Sequence, residues 1–554
     1  KSPMNPGELL AEVMHLAASD SLAAMDRLAK LTHHPELATE PLVVATCWLE
    51  MAELLAAQGH DSEASSAVDR AEATLPDGPD AAVRLDITRA RVAAGTDVMR
   101  AFELAAHADA GASKLTDPLA RVATLSLILE LCVQTGEDDT AVQVAEALAP
   151  HARAAGDLVA GVAASCLCAE ALLRLDRNER AFDVAREAHT QAMRHGTWIA
   201  RAAELRGVAA RRAGQMLEAR ESFDAAVAAC AGDVPPRLAL EHAVCHIAFD
   251  GANPALEATL ANLMEADDGE VAHGALAAAF DLAIERRDAD GAAALLSRSS
   301  PRLAEHDRLA MRARLALATG DAETAQSTVE QLTALSDSAD HGLLSADVQL
   351  ATGDAARAVV TLDTWVEMGR ATGNPTVEGA ALGRRSFALA LLGDTEAAGA
   401  DALRALELAQ ARFAPAAYAT AAHLLVASQL EREMVDRALD QLDEAVAWLE
   451  RTGAATRALL MTAFEATVQL ETTGQPELPG DHEALLRHGT TVGNPKAAAI
   501  AHLSLARLAH SQGDARAAQD HLGSAKALDN RSELGLHDLI RRLSTALGLE
   551  AGSA

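Results

Sequence analysis

The sequence predicts an all-α fold, a solenoid of about 13–14 stacked antiparallel helix pairs, and three observations predict it. A turn-forming residue, usually glycine, recurs along nearly the whole chain, with successive copies 32 to 41 residues apart. An alanine follows about five positions later, as in Gly136…Ala141, Gly214…Ala219, Gly320…Ala325, Gly353…Ala358, Gly393…Ala398 and Gly513…Ala518. Hydrophobic residues make up 50% of the chain and aromatics only 2%, so Ala, Leu and Val supply the apolar content. Ala and Leu favour helix, and the residues that favour strands are scarce. A period of this length marks an array in which each unit packs on its neighbours.

The turn markers run Ser19, Gly59, Gly95, Gly136, Asp176, Gly214, Gly251, Asp288, Gly320, Gly353, Gly393, Glu433, Gly474 and Gly513. Each unit reads as one helix before the marker and one after it. Residues 202–213 and 217–228 illustrate the pair. In the second of these, Ala219, Phe223, Ala226 and Val227 fall at i, i+4, i+7 and i+8 and form one apolar stripe. Glycine between the helices suits a left-handed C-terminal cap. The acids in Gly320-Asp321, Gly353-Asp354, Gly393-Asp394 and Gly513-Asp514 suit the start of the next helix. Between units, Asp117-Pro118, Asn374-Pro375 and Asn494-Pro495 place proline at a first helical turn.

The expected organisation is a single solenoid over residues 1–548, with a disordered tail over 549–554. Irregular stretches near 75–80, 232–236 and 475–480 are candidate hinges.

Lys plus Arg total 47 and Asp plus Glu 80, a formal charge of −33. That acidity disfavours general binding to nucleic-acid phosphates or anionic lipid. No apolar run approaches the roughly 18 residues that span a bilayer, since Glu130 interrupts Leu125–Val133. The six cysteines are scattered without a disulfide framework, which predicts a reducing, cytoplasmic location.

The chain resembles the tetratricopeptide repeats, in a long, Ala-rich form similar to the helical-repeat halves of bacterial signalling regulators. Gly207…Gly214…Ala219…Phe223…Ala226 carries the resemblance best. Trp48, Met51, Ala52, Leu55, Ala64, Val68 and Ala71 carry it around Gly59. Most of the aromatics usual in that family are replaced by Ala, Leu or Val, and most units are longer. The resemblance implies a right-handed superhelix whose first helices line a concave groove that binds peptides or protein segments.

Two sets of groove residues follow from the repeat register. Arg201, Arg211 and Arg212, joined by Arg174 one unit earlier, form a basic cluster flanked by Glu170, Glu204 and Glu241. Guanidinium forks match carboxylates, so an acidic peptide is the expected partner, in competition with ion pairing inside the array. Leu343, Phe387, Phe464, Val468 and Leu503 are candidates for an apolar strip, in competition with packing between repeats.

His242, Cys245 and His246 share one helix face at spacings of three and four. They are a weak metal candidate without an evident fourth ligand. Cys166 and Cys168 read as core. No phosphate-binding loop or catalytic triad is recognisable, and no cofactor is expected. The expected function is a non-enzymatic protein-interaction scaffold. A sensory or regulatory repeat module and a self-assembling structural protein are the competing classes.

Overall fold

The computed structural model describes residues 21–33, 40–251, 253–285, 288–299, 304–335, 338–473 and 495–528, together with Val13 and Leu16. The expected 475–480 hinge and the 549–554 tail lie outside the described residues. Within them are helices of 10 to 19 residues, most of them packed on the next in sequence, and no strand.

The recurring turn residue does what its spacing suggests. Gly59, Gly136, Gly214, Gly320, Gly353, Gly393 and Gly513 all have φ between 74° and 83°. The non-glycine markers Asp176 and Glu433 are held at φ 56° and 58°. Gly95 differs: its φ of −75° continues the right-handed helix. The marker ends one helix, and the aspartate after it starts the next. Asp321, Asp354, Asp394 and Asp514 accept hydrogen bonds from the backbone N–H groups of Thr324, Arg357, Ala397 and Ala517 at 3.0–3.1 Å. Asp117 and Asn374 cap their proline-initiated helices in the same way.

The alanine beyond most of these turns is buried. Ala141, Ala219, Ala325, Ala358 and Ala438 are fully enclosed, and a larger side chain would separate the helices. First helices also touch the first helices of adjoining pairs, as Pro41–Ala57 touches Pro79–Ala94 and the latter touches Pro118–Thr135. They are therefore covered on more than one side. Hence Leu125, Leu127, Leu129 and Leu131 are all buried despite their spacing of two, as are Cys166 and Cys168.

The helix Pro118–Thr135 corrects one expectation. It has 18 residues and a mean hydropathy of 1.3, enough by length and composition to cross a membrane. Here Leu125, Leu129 and Cys132 share a core with Val142, Ala145 and Val162 of the following helices.

The chain divides into two compact units, residues 1–209 and 210–554. The division falls at none of the three expected hinges. The first unit stacks its helix pairs in sequence, with cores centred on Leu49 and Val68, on Ile87 and Ala105, and on Leu129 and Leu172.

The second unit adds a long-range contact. Its helix Pro236–Asp250 packs against Pro415–Glu431 and Ala455–Thr473, some 200 residues later. Phe249 joins the core that holds Trp365, Tyr418, Trp448 and Phe464. Tyr418 stacks on Trp448 with ring centroids 4.0 Å apart, and burial pushes its hydroxyl pKa up to about 12. At the other end of this contact Arg412 donates to the carbonyl of Ala213, and its own carbonyl accepts from Met216 N–H at 3.2 Å.

Candidate functional site

In the first unit, the arginines singled out by the sequence belong to a chain of ion pairs. Arg174 lies near the C-terminus of the helix Leu158–Arg174, and Arg201 in the first turn of Ile199–Arg212. Arg174 bonds Asp138 at 2.7 Å and Glu170 at 3.1 Å. Arg201 bonds Glu170 at 2.8 Å and Glu204 at 2.9 Å. Glu170 thus bridges the two guanidinium groups. The side chains of Arg174 and Arg201 remain 36% and 39% exposed, so both are oriented and still reachable from solvent. The hydrogen bond to Asp138 raises the Arg174 pKa above its usual value.

In the second unit Arg211 pairs with Glu241 at 2.7 Å, and Arg212 is also engaged. Arg174 and Arg201 belong to the first unit, Arg211 and Arg212 to the second.

The apolar candidates sit in the core. Leu343, Phe464 and Val468 are buried in one cluster, and half-buried Phe387 packs against it. Leu503 is also buried. Phe464 meets His423 edge-on, with ring centroids 4.5 Å apart. As placed, these five side chains hold helices together and do not present an open strip.

Of the metal candidates, His242 and His246 are half-buried while Cys245 is fully buried. Both imidazoles meet Asp224, which the sequence reading did not include. Burial pushes the Cys245 thiol pKa up to about 12. Cys166 is likewise raised to about 12, and Cys47 and Cys168 to about 11. These four thiols are protonated near neutral pH and are not activated nucleophiles.

The sequence reading also missed an open depression of about 470 Å³ in the first unit, lined by Glu53, Arg91, Gly95 and Gln134 among others. Arg91 donates to Glu53 at 2.6 Å and Thr88 to the same carboxylate at 3.1 Å. A sequence signal for such pairs exists. Arg91–Glu53, Arg174–Asp138, Arg298–Glu265, Arg314–Asp281 and Arg384–Asp347 are separated by 33 to 38 residues, one repeat length, with arginine always the later partner.

No protein-family model and no curated protein matches the chain. Among solved structures it is similar to a Rap protein complexed with Competence and Sporulation Factor, at 11% identity and a TM-score of 0.40, over 59% of this chain and 98% of that one. It is similar to yeast Tom70 at 12% identity and a TM-score of 0.38, over 78% and 97% of the two chains. It is also similar to a signal transduction ATPase of the STAND type with a tetratricopeptide repeat sensor, from Pyrococcus horikoshii, at 14% identity and a TM-score of 0.35. This match covers 59% of this chain and 55% of the ATPase. The fold is tetratricopeptide-like. Its hairpins share a left-handed turn residue and, at most turns, an enclosed alanine about five positions on. The likenesses themselves transfer neither partner nor activity.

Proposed function

We propose that this chain is a non-enzymatic scaffold that binds a peptide or protein segment, and that the Arg174–Glu170–Arg201 chain is one of its recognition points. The supporting observation is the partial exposure of two arginines already held in place by a shared glutamate. An acidic side chain or chain terminus from a partner would replace Glu170 or add to it, forming forked guanidinium–carboxylate bonds at little ordering cost. The surrounding negative charge restricts binding to segments that place their acid at this point. It also disfavours nucleic acid and anionic lipid as partners. The six free thiols support the reading that the protein works in a reducing, cytoplasmic compartment.

The test is affinity capture from the native cell with the wild-type chain and with R174E/R201E, both checked for helix content by circular dichroism. The expected result is loss of at least one partner from the variant. Unchanged recovery of every partner overturns this site.

A further inference from the structure

The first two complete helices of the second unit bring one carboxylate and two imidazoles to a point. Asp224 projects from the helix Met216–Ala229, and His242 and His246 from Pro236–Asp250. The two histidines are four residues apart and share one helix face. Their Nε2 atoms lie 3.0 and 2.8 Å from the same Asp224 Oδ1, and their ring centroids are 4.4 Å apart. All three potential ligand atoms fall within 4.8 Å of one another.

We propose that Asp224, His242 and His246 form a binding site for a divalent transition-metal ion of the zinc, cobalt and nickel class, with a coordination position left open to solvent. Zinc–nitrogen and zinc–oxygen bonds of about 2.0–2.1 Å at the tetrahedral angle hold their donor atoms about 3.3 Å apart. The Nε2–Oδ1 separations need widen by only a few tenths of an ångström to admit the ion. The donor set, two imidazoles and one carboxylate, suits this class of metal.

Nearby cations do not compete for the point. Arg220 lies over the Phe249 ring at 4.2 Å, and Arg211 is paired with Glu241. Partial exposure of all three side chains leaves an entry path and room for water or a partner's donor at the remaining position. Cys245, although on the same helix, is enclosed in the core and takes no part.

The test uses the full chain after chelator treatment, titrated calorimetrically with zinc chloride and, separately, spectroscopically with cobalt chloride. Expected is one equivalent bound with micromolar or tighter affinity, reduced at least tenfold in H242A/H246A and in D224A. Cobalt is expected to give visible d–d absorption without a thiolate charge-transfer band. The H502A/H521A variant controls for a second histidine pair, whose Nδ1 atoms are 3.0 Å apart, and it is expected to bind as wild type does. Three results would each overturn the site: uptake unchanged in H242A/H246A, uptake lost in H502A/H521A, or a thiolate band with cobalt. The spectrum needs no variant, so it decides even where a substitution impairs folding.

Discussion

Asp250 caps a helix that begins more than 200 residues after it. Its Oδ1 accepts from the backbone N–H of Thr456 at 2.9 Å, in the first turn of Ala455–Thr473. The residue before that helix is Ala454, which has no side-chain acceptor. The favour is returned: Arg457 Nε donates to the carbonyl of Phe249 at 2.8 Å, at the end of the helix that carries Asp250. Acid at an N-terminus and base at a C-terminus each complement the helix dipole. Replacing Asp250 with Ala should cost about 0.5–2 kcal/mol, the range for a lost cap. The D250A/R457A double variant should cost less than the sum of the singles, because the residues act on the same junction. Hydrogen exchange at the amides of 456–458 measures this locally, which suits an array that need not unfold in one step.

Gly369 is needed for a close approach of two backbones. A Cβ there would stand 2.6 Å from the amide nitrogen of Glu378 and 2.9 Å from its Cα. Gly369→Ala gains about 1 kcal/mol of helix propensity. It forces apart the helices Ala355–Ala371 and Pro375–Leu391, an overpacking cost of about 1–3 kcal/mol. A net loss is expected, seen as a lower urea midpoint and faster exchange in both helices. The shift also disturbs the ion pairs that buried Glu378 makes with Arg370 and Arg404.

The turn markers offer a paired test of backbone conformation. Gly320 has φ 75° and open space around its missing Cβ, so Gly320→Ala should lose about 1–2 kcal/mol from conformation alone. Asp176 holds φ 56° with a side chain, so Asp176→Gly should move stability the other way by up to about 1 kcal/mol. The gain is reduced by loss of the Asn178 hydrogen bond to Asp176 at 2.6 Å. Opposite signs in thermal denaturation are the expected outcome.

His189 gives the first unit an acid-sensitive point. Burial first, and the charge of Arg206 second, lower its pKa from the usual histidine value. The unfolded chain therefore takes up this proton before the folded one does. The associated stability is fully present above about pH 6.5 and is lost as pH falls from there through the lower folded value. Between pH 7 and pH 5 the wild type should lose more stability than His189→Gln, as measured by denaturant midpoints at each pH.

Much of the fold was legible because its determinants are local. The turn glycines, the capping aspartates and the alanine beyond each turn lie within a few residues of the structure they form, so periodicity exposes them. Phe464 and Val468 read equally well as groove or core, since both positions are apolar and helical. Only the neighbouring layer decides, and here it encloses them. Cys245 was the nearer sequence partner for His242 and His246. The helix rotation that brings Asp224 to the two imidazoles sends the thiol inward instead.

By itself the sequence determined that this protein is a helical array, where its hairpins turn, and which side chains are small enough to let helices touch. Only the tertiary structure decided that Asp250 meets Thr456, that Glu170 bridges Arg174 and Arg201, and that Asp224 faces two histidines. The physical reason is that hairpin geometry follows from contacts a few residues apart. The meeting of distant side chains depends on helix-packing angles accumulated over many repeats, or on the rotation of one helix against its neighbour, and no single segment encodes these.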